Sequence, residues 1–260
     1  MKTGHRISAL AFGLLAACVA GTNVAAAKDA ANTAAVDAAL QSKDRPKDDL
    51  AQDESRHARE VLQFSGVASG MRVADMFSAG GYYTELLSRI VGPKGSVIAY
   101  NNAEYESFAK KEIGPRYAGN RLPNVKQITK PVDALELEPN SLDLVMFIKS
   151  YHDLYWHPAD GSWAPTDPAK LLAKVHAAVK PGGTVIVEDH VAPPGTDPVA
   201  GIDKLHRIDP AVVKRDFERA GFKFDGESKV LAHPEDDHTK IVFDDSVKGK
   251  TDQFIYRFRR

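Results

Sequence analysis

Cysteine is nearly absent from this 260-residue chain. Cys18 is the only one, which excludes an internal disulfide and any cysteine-ligated metal site. Excess charge is absent too: 34 Lys and Arg stand against 35 Asp and Glu, a formal net charge of −1. The basic residues do not cluster, so no nucleic-acid partner is expected. A membrane-spanning run is also missing, because the apolar stretch from Ile7 to Ala20 falls short of the roughly 20 residues a spanning helix needs. Internal repeats and low-complexity tracts do not occur. The domain must therefore be held by its own core, and the length is ample for a single one.

The amino terminus is present as an address. Lys2, His5 and Arg6 precede the apolar run, and Ala25-Ala26-Ala27 stands before Lys28, the layout of a secretory signal peptide over residues 1–27. Export to the periplasm is expected. Leu15-Ala16-Ala17-Cys18 also has the form of the box before the lipid-bearing cysteine of bacterial lipoproteins, so a lipid anchor at Cys18 stays open. Residues 28–52, rich in Ala, Asp and Lys, read as a weakly structured lead-in with at most one weak helix. The folded domain is expected over 53–260.

From residue 53 onward helix and strand patterns alternate. A helix over Asp53 to Phe64 puts Ala58, Val61 and Leu62 on one face. Apolar strand candidates follow at 71–76, 96–100, 125–128, 142–148 and 184–189. Asp167-Pro168 and Asp209-Pro210 each open a helix, with aspartate as cap and proline in the first turn. Gly92-Pro93-Lys94-Gly95 and Lys180-Pro181-Gly182-Gly183 are turns back to the sheet. Residues 222–230 and 253–258 look strand-like without a helix between them, and pair best as an antiparallel hairpin. The pattern predicts an α/β fold: a doubly wound, mostly parallel seven-stranded sheet ending in that hairpin.

One segment carries most of the functional signal. Val73 to Met76 is an apolar strand containing Asp75, followed by Phe77-Ser78-Ala79-Gly80-Gly81 and a helix with Tyr83, Leu86, Leu87 and Ile90 on one face. A small-residue turn between a strand and a helix N-terminus lets a ligand approach the backbone closely. This layout resembles the first motif of class I S-adenosylmethionine-dependent methyltransferases, although Phe77 and Ala79 stand where that family usually has glycine. The order of elements, Pro131-Val132-Asp133-Ala134, Leu142-Asp143-Leu144-Val145 and Lys180-Pro181-Gly182-Gly183-Thr184 extend the resemblance over residues 53–259. The segments His206 to Pro210, Ala220 to Phe222 and Asp236 to Thr239 resemble an exported bacterial branch of that family.

The resemblance implies a Rossmann-like fold, S-adenosylmethionine as cofactor and methyl transfer to a small or lipid-like acceptor. Asp75, Ser78, Ala79, Gly80 and Gly81 would meet the methionine end of the cofactor. Asn101 and Asn102 stand in the place of the ribose-gripping acid, with Glu104 in reach, and Asp133 stands where the adenine amino group is met. Read as residues alone, Asp75 could equally be a buried acid fastening its loop, and the glycines could serve a tight turn. Tyr151, His152 and Asp153 are the candidate catalytic residues, His152 as general base and its neighbours as orienting groups; packing as a lid is the alternative. Asp189, His190, His206, Asp237 and His238 add imidazole and carboxylate groups, but no two histidines share tight ligand spacing, so no metal is expected. Residues 159–165 and 233–250 are the expected walls of the acceptor pocket. A protein of this shape that has lost the cofactor and uses the cleft for another small ligand is the competing reading. A nicotinamide oxidoreductase is disfavoured, since no glycine-x-glycine-x-x-glycine spacing follows the first strand.

Overall fold

The structure, a computed structural model, describes residues 31–260; the signal-peptide segment and Cys18 lie outside the described residues. Seven strands form one sheet: β1 (Arg72–Met76), β2 (Ser96–Asn101), β3 (Val125–Thr129), β4 (Leu142–Ile148), β5 (Val179–His190), β6 (Lys223–Ser228) and β7 (Gln253–Arg259). Their order is β3-β2-β1-β4-β5-β7-β6. The first five run parallel, and β7 inserts antiparallel between β5 and β6. The expected terminal hairpin is there, with its second arm rather than its first against the parallel sheet. β5 starts earlier than its apolar core implies, because Val179 already pairs with Leu142 ahead of a register shift.

Alternation along each strand divides the core in two. Ala74, Met76, Val145, Phe147, Val185 and Val187 face one side, under the helices labelled here α5 (Pro168–Ala178) and α7 (Pro210–Arg219). Val73, Val97, Leu144, Met146 and Ile186 face the other, under α1 (Ala58–Ser65) and α2 (Tyr82–Val91). Both faces of β1, β4 and β5 are thus covered, which is why their centres read as near-continuous apolar runs, whereas β3 at the sheet edge keeps exposed Lys126 and Gln127. α1 begins later than its apolar pattern suggests, since His57 adopts a left-handed backbone (φ 42°) immediately before it. A further helix, α6 (Pro198–Leu205), was not foreseen, although Asp197-Pro198 repeats the cap-and-proline start and Asp197 accepts a bond from the Ala200 N–H.

The lead-in is the clearest departure. Residues 31–40 are helical, and Val36 and Ala39 are buried in the same core face as α1 and α2. Arg45 is ion-paired to Asp53, and Asp49 to Arg116. Residues from 31 onward are part of the packed domain, because this segment brings the carboxylates that neutralise buried arginines. No described helix is long and apolar enough to cross a membrane.

Candidate active site

The chain reverses direction across the sheet between β1 and β4, so their carboxyl ends flank a crevice. A cleft of about 800 Å³ opens there, lined by Asp75, Phe77, Ser78, Ala79 and Gly80 from the β1 end, and by Lys149, His152 and Asp153 from the β4 end. Asp75 is buried, and its Oδ2 accepts the Thr84 hydroxyl at 2.6 Å. Burial lifts its pKa to about 6 against the opposing pull of the Thr84 hydroxyl and N–H.

The turn after β1 is held by its own chain. Ser78 N–H donates to the Tyr100 carbonyl at 3.0 Å, and Ala79 N–H donates to Asn101 Oδ1 at 2.9 Å. Phe77 and Ala79 both sit in the left-handed region, at φ 53° and 47°, a conformation costing an L-residue roughly 1–2 kcal/mol. The Phe77 ring leans on Tyr100 and Tyr105, with centroids 5.2 Å away from each, and so forms a wall of the cleft. The two glycines serve a different close approach from the one expected. A Cβ at Gly80 would lie 2.6 Å from Glu112 Cβ, and one at Gly81 (φ 80°) 2.8 Å from Tyr117 Oη. Helix α4 (Lys110–Tyr117), rather than a ligand, requires them to be bare. Gly81 is also outside the cleft lining.

Asn101 and Asn102 are committed internally. Asn101 donates back to the Ala79 carbonyl at 3.2 Å, and Asn102 Oδ1 caps helix α3 (Ala103–Phe108) through the Tyr105 N–H at 2.9 Å. Asn101 is thus taken up on both its oxygen and its nitrogen, while Asn102 has its oxygen engaged and lines the smaller hollow. Asp133 lies apart from the main cleft, in a smaller hollow of about 430 Å³ that it shares with Asn102, Glu104 and Lys170. Tyr105 and Trp163, with centroids 5.4 Å apart, line the larger hollow while their neighbours Glu104 and Ala164 line the smaller. These two rings stand between the spaces.

At the β4 end the three candidate catalytic residues part company. Tyr151 is turned into the core, packed on Phe147 and Phe217 with its hydroxyl 3.1 Å from Asp216 Oδ2. It is a structural residue, because the helical turn of residues 152–155 sends adjacent side chains to opposite sides. His152 and Asp153 face the cleft. The group that orients His152 is Asp189 at the end of β5: its Oδ1 lies 2.5 Å from His152 Nδ1, and its Oδ2 accepts the His152 backbone N–H at 3.0 Å. His206, at the end of α6 with φ 55°, brings its Nε2 to 3.0 Å from His152 Nε2. Asp153 Oδ2 accepts the Tyr105 hydroxyl at 2.5 Å. Burial pushes His152 down, but Asp189 and Asp153 outweigh it and lift the imidazole to about 9. Burial and then the His152 charge push His206 to about 3. Sequence reasoning noticed Asp189 and His206 only as scattered metal-capable groups; their roles beside His152 arise from contacts 37 and 54 residues apart. Asp237 and His238 are not in the cleft lining, and His238 pairs with Asp252 at 3.0 Å.

β5 also carries Glu188, fully buried, with neither oxygen hydrogen-bonded among the described residues and Lys149 Nζ 3.7 Å away. The Tyr83 hydroxyl, on the cleft wall, is unpartnered as well. The rim is apolar and open: Phe108 is 80% exposed, Phe243 57% and Ile241 39%, and all three line the cleft. Residues 241–243 belong to the arm expected as a pocket wall, and Trp163 to the other expected wall.

The sheet order, the antiparallel β7 and the crevice at the β1–β4 ends define the class I S-adenosylmethionine-dependent methyltransferase fold. Comparisons with known proteins agree. A methyltransferase structure from Aquifex aeolicus, described as S-adenosylmethionine-dependent, superposes with a TM-score of 0.58 at 19% identity, over 85% of this chain and 96% of that one. The [4+2]-cyclase SpnF shares the fold too, with a TM-score of 0.56 at 14% identity, over 80% of this chain and 81% of its own. In sequence, the chain is similar to the ubiquinone/menaquinone biosynthesis C-methyltransferase UbiE of Pasteurella multocida, at 26% identity over 195 residues and 72% of this chain. That match spans 66% of the relative's own length, just under two thirds. No family model matches the chain.

Proposed function

We propose that the protein is an exported S-adenosylmethionine-dependent methyltransferase whose acceptor is a small, apolar, lipid-like molecule with a weakly acidic reacting end, such as a reduced quinone. The observation that carries this reading is the cleft itself. It joins the buried acid at the end of β1 to the Asp189-backed His152 at the ends of β4 and β5, and opens through an apolar rim. The fold supports the reaction class, and the similarity to the ubiquinone/menaquinone biosynthesis C-methyltransferase of Pasteurella multocida supports the acceptor class.

The residues present fit the cofactor at its methionyl end. Asp75, buried at the cleft wall, favours a cationic ligand. Arg56 and Lys149 line the same space and would answer its carboxylate. At the nucleoside end Asn101 is engaged by the turn, and Glu104 and Asp133 line the smaller hollow on the far side of Tyr105 and Trp163, so a cofactor that uses them must displace those two rings. When bound, the cofactor supplies a methyl group on a sulfonium. The chain's own contribution is to align the acceptor, which accounts for most of the rate in a displacement, and to receive the proton the acceptor loses. His152 is fixed by Asp189 with its Nε2 towards His206; lifted to about 9, it accepts that proton only in the fraction left neutral, so the roughly 10²–10⁴-fold assistance of a general base grows as pH rises towards 9.

Calorimetry on the chain from residue 28 onward tests the reading. Micromolar binding of S-adenosylmethionine or its demethylated product, abolished by Asp75→Ala, is expected; no heat with either from a folded sample refutes it. Fractionation of cells should place the protein in the periplasmic or membrane fraction.

A second reading has specific support: the fold persists while the cofactor has been lost. Phe77 and Ala79 hold strained positions that glycine would occupy freely, Asn101 is consumed by the turn, and the Asn102 oxygen by the cap of α3. SpnF, described as a cyclase, illustrates that the fold alone does not dictate the reaction. The same calorimetry separates the two.

A further inference from the structure

We infer that His152, Asp153 and His206 form a binding site for one divalent transition-metal ion of the zinc type, with an open coordination position facing the cleft. One ligand atom from each lies within 4.8 Å of those of the other two. The donors come from separate elements, His152 and Asp153 from the turn after β4 and His206 from the end of α6, so the fold rather than local sequence assembles them.

Each ligand is held from behind. Asp189 takes the Nδ1 side of His152 at 2.5 Å, leaving Nε2 as the nitrogen that faces the cluster; a carboxylate behind a histidine is the usual outer support of a metal ligand. Tyr105 fixes Asp153 Oδ2 at 2.5 Å, and Asp153 Oδ1 stays 3.5 Å from His152 Nε2. His206 is held in a left-handed backbone conformation at φ 55°, with its ring 4.8 Å from Phe243 and 6.5 Å from Trp156. That conformation is the C-cap of α6, closed by the His206 N–H donating to the Ile202 carbonyl at 3.0 Å.

The spacing suits an ion. The two Nε2 atoms are 3.0 Å apart. Two nitrogens bound tetrahedrally at the usual zinc distance of about 2.0–2.1 Å are separated by about 3.3–3.4 Å, so a ring movement of a few tenths of an ångström admits the metal between them. Two imidazoles and one carboxylate make a three-ligand set, which for zinc leaves a fourth position to water or substrate. Here that position opens on the cleft, which all three residues line. Resting on the methyl-transfer reading, the ion has a chemical use. An acceptor hydroxyl coordinated at the open position forms its oxygen–metal bond as its O–H breaks, with the proton passing to bulk water. His152 is then a ligand rather than the proton acceptor, and the acceptor oxygen is left as a stabilised anion.

Cobalt(II) titration of untagged protein, stripped with chelator and covering residue 28 onward, tests the site. One equivalent should bind with the visible absorption of a four- or five-coordinate centre and be displaced by zinc. His206→Asn, which tolerates the left-handed backbone, and Asp153→Asn should each weaken binding at least a hundred-fold. His233→Ala, a control beside exposed Glu235, should leave it unchanged; circular dichroism checks that each variant is folded. Absence of a cobalt spectrum from folded wild-type protein, or unaltered affinity in both ligand variants, overturns the site. Calorimetry with S-adenosylmethionine in excess chelator keeps the two ideas apart: cofactor binding without metal binding sinks only the metal site, and metal binding without cofactor binding sinks only the methyl-transfer reading.

Discussion

Two glutamates with fully buried side chains, Glu85 and Glu188, are treated in opposite ways. Glu85, in the first turn of α2, has every lone pair engaged: Oε1 accepts from Arg89 and Arg121 at 2.7 Å each, and Oε2 from Arg116 at 2.6 Å and Arg121 at 2.7 Å. Asp49 closes the network on the far side of Arg116. Glu188 has no hydrogen bond among the described residues and a single cation 3.7 Å away. The first cluster is a clamp that ties the 31–53 segment, the turn after β1 and helix α4 into one rigid support. The second is left unsatisfied beside the space where chemistry is proposed. Unmet polar groups concentrate where function overrides local stability.

The largest test is to break the clamp. Glu85→Ala removes the acceptor shared by Arg89, Arg116 and Arg121, leaving Asp49 as the carboxylate on Arg116, and should destabilise the protein by about 2–3 kcal/mol, read from urea unfolding. A loss under about 1 kcal/mol would mean the clamp is decorative and the contrast unfounded. The pH dependence sharpens the same point. The arginines outweigh burial and hold Glu85 down to about 2, so its contribution is complete above its unfolded value near 4.5 and is lost as pH falls from there towards 2. Asp75 behaves oppositely. Its folded value of about 6 lies above the ordinary 3.8, so the stability from its protonated form is present below 3.8 and disappears as pH rises through 6. Asp75→Asn should flatten that slope in part, since burial also raises Asp153 and Glu188, and leave the acid-side loss intact.

The turn itself yields the next effect. Gly80→Ala places a methyl 2.6 Å from the Cβ of Glu112, an atom fixed to the α4 backbone, and should destabilise by about 1–3 kcal/mol. Glu112→Ala will not relieve it, since the Cβ remains; Glu112→Gly will. Glu188→Gln, by contrast, should change unfolding stability by less than about 1 kcal/mol, because no hydrogen bond is lost. A large drop there would show that Lys149 pairs with Glu188 more tightly than their separation suggests.

Much of this architecture was legible because it is local. The apolar strand runs, the Asp-Pro helix starts at 167 and 209 and the strand–turn–helix around Asp75 are short-range signals, and each lies where its pattern places it. The site was legible only in part. His152 was singled out for its chemistry and does face the cleft, yet its partner Asp189 and its neighbour His206 depend on three chain segments converging at one edge of the sheet. Tyr151 looked equivalent to His152 from composition, and only the tight turn between them separates core from cleft. Asn101 and Asn102 carry the right chemistry for a ligand, but their own backbone neighbours claim it first. The lead-in misled because its composition is that of a solvated segment, while its charges are consumed by buried arginines.

The smallest expected effect bears on which reading of the cleft survives. Ala79 holds φ 47°, and glycine there removes a steric penalty while adding unfolded-state freedom, two terms of roughly 1 kcal/mol that nearly cancel. Ala79→Gly should therefore move stability by a few tenths of a kcal/mol either way. Its influence on ligand binding need not cancel, because the Ala79 methyl belongs to the cleft wall and the backbone bonds to Asn101 are untouched by its removal. If the cleft holds S-adenosylmethionine, opening the wall at Ala79 should preserve or tighten binding, up to several-fold by calorimetry. A loss of binding would show that the methyl is part of the recognised shape, and that the chain has re-formed its turn around a different ligand.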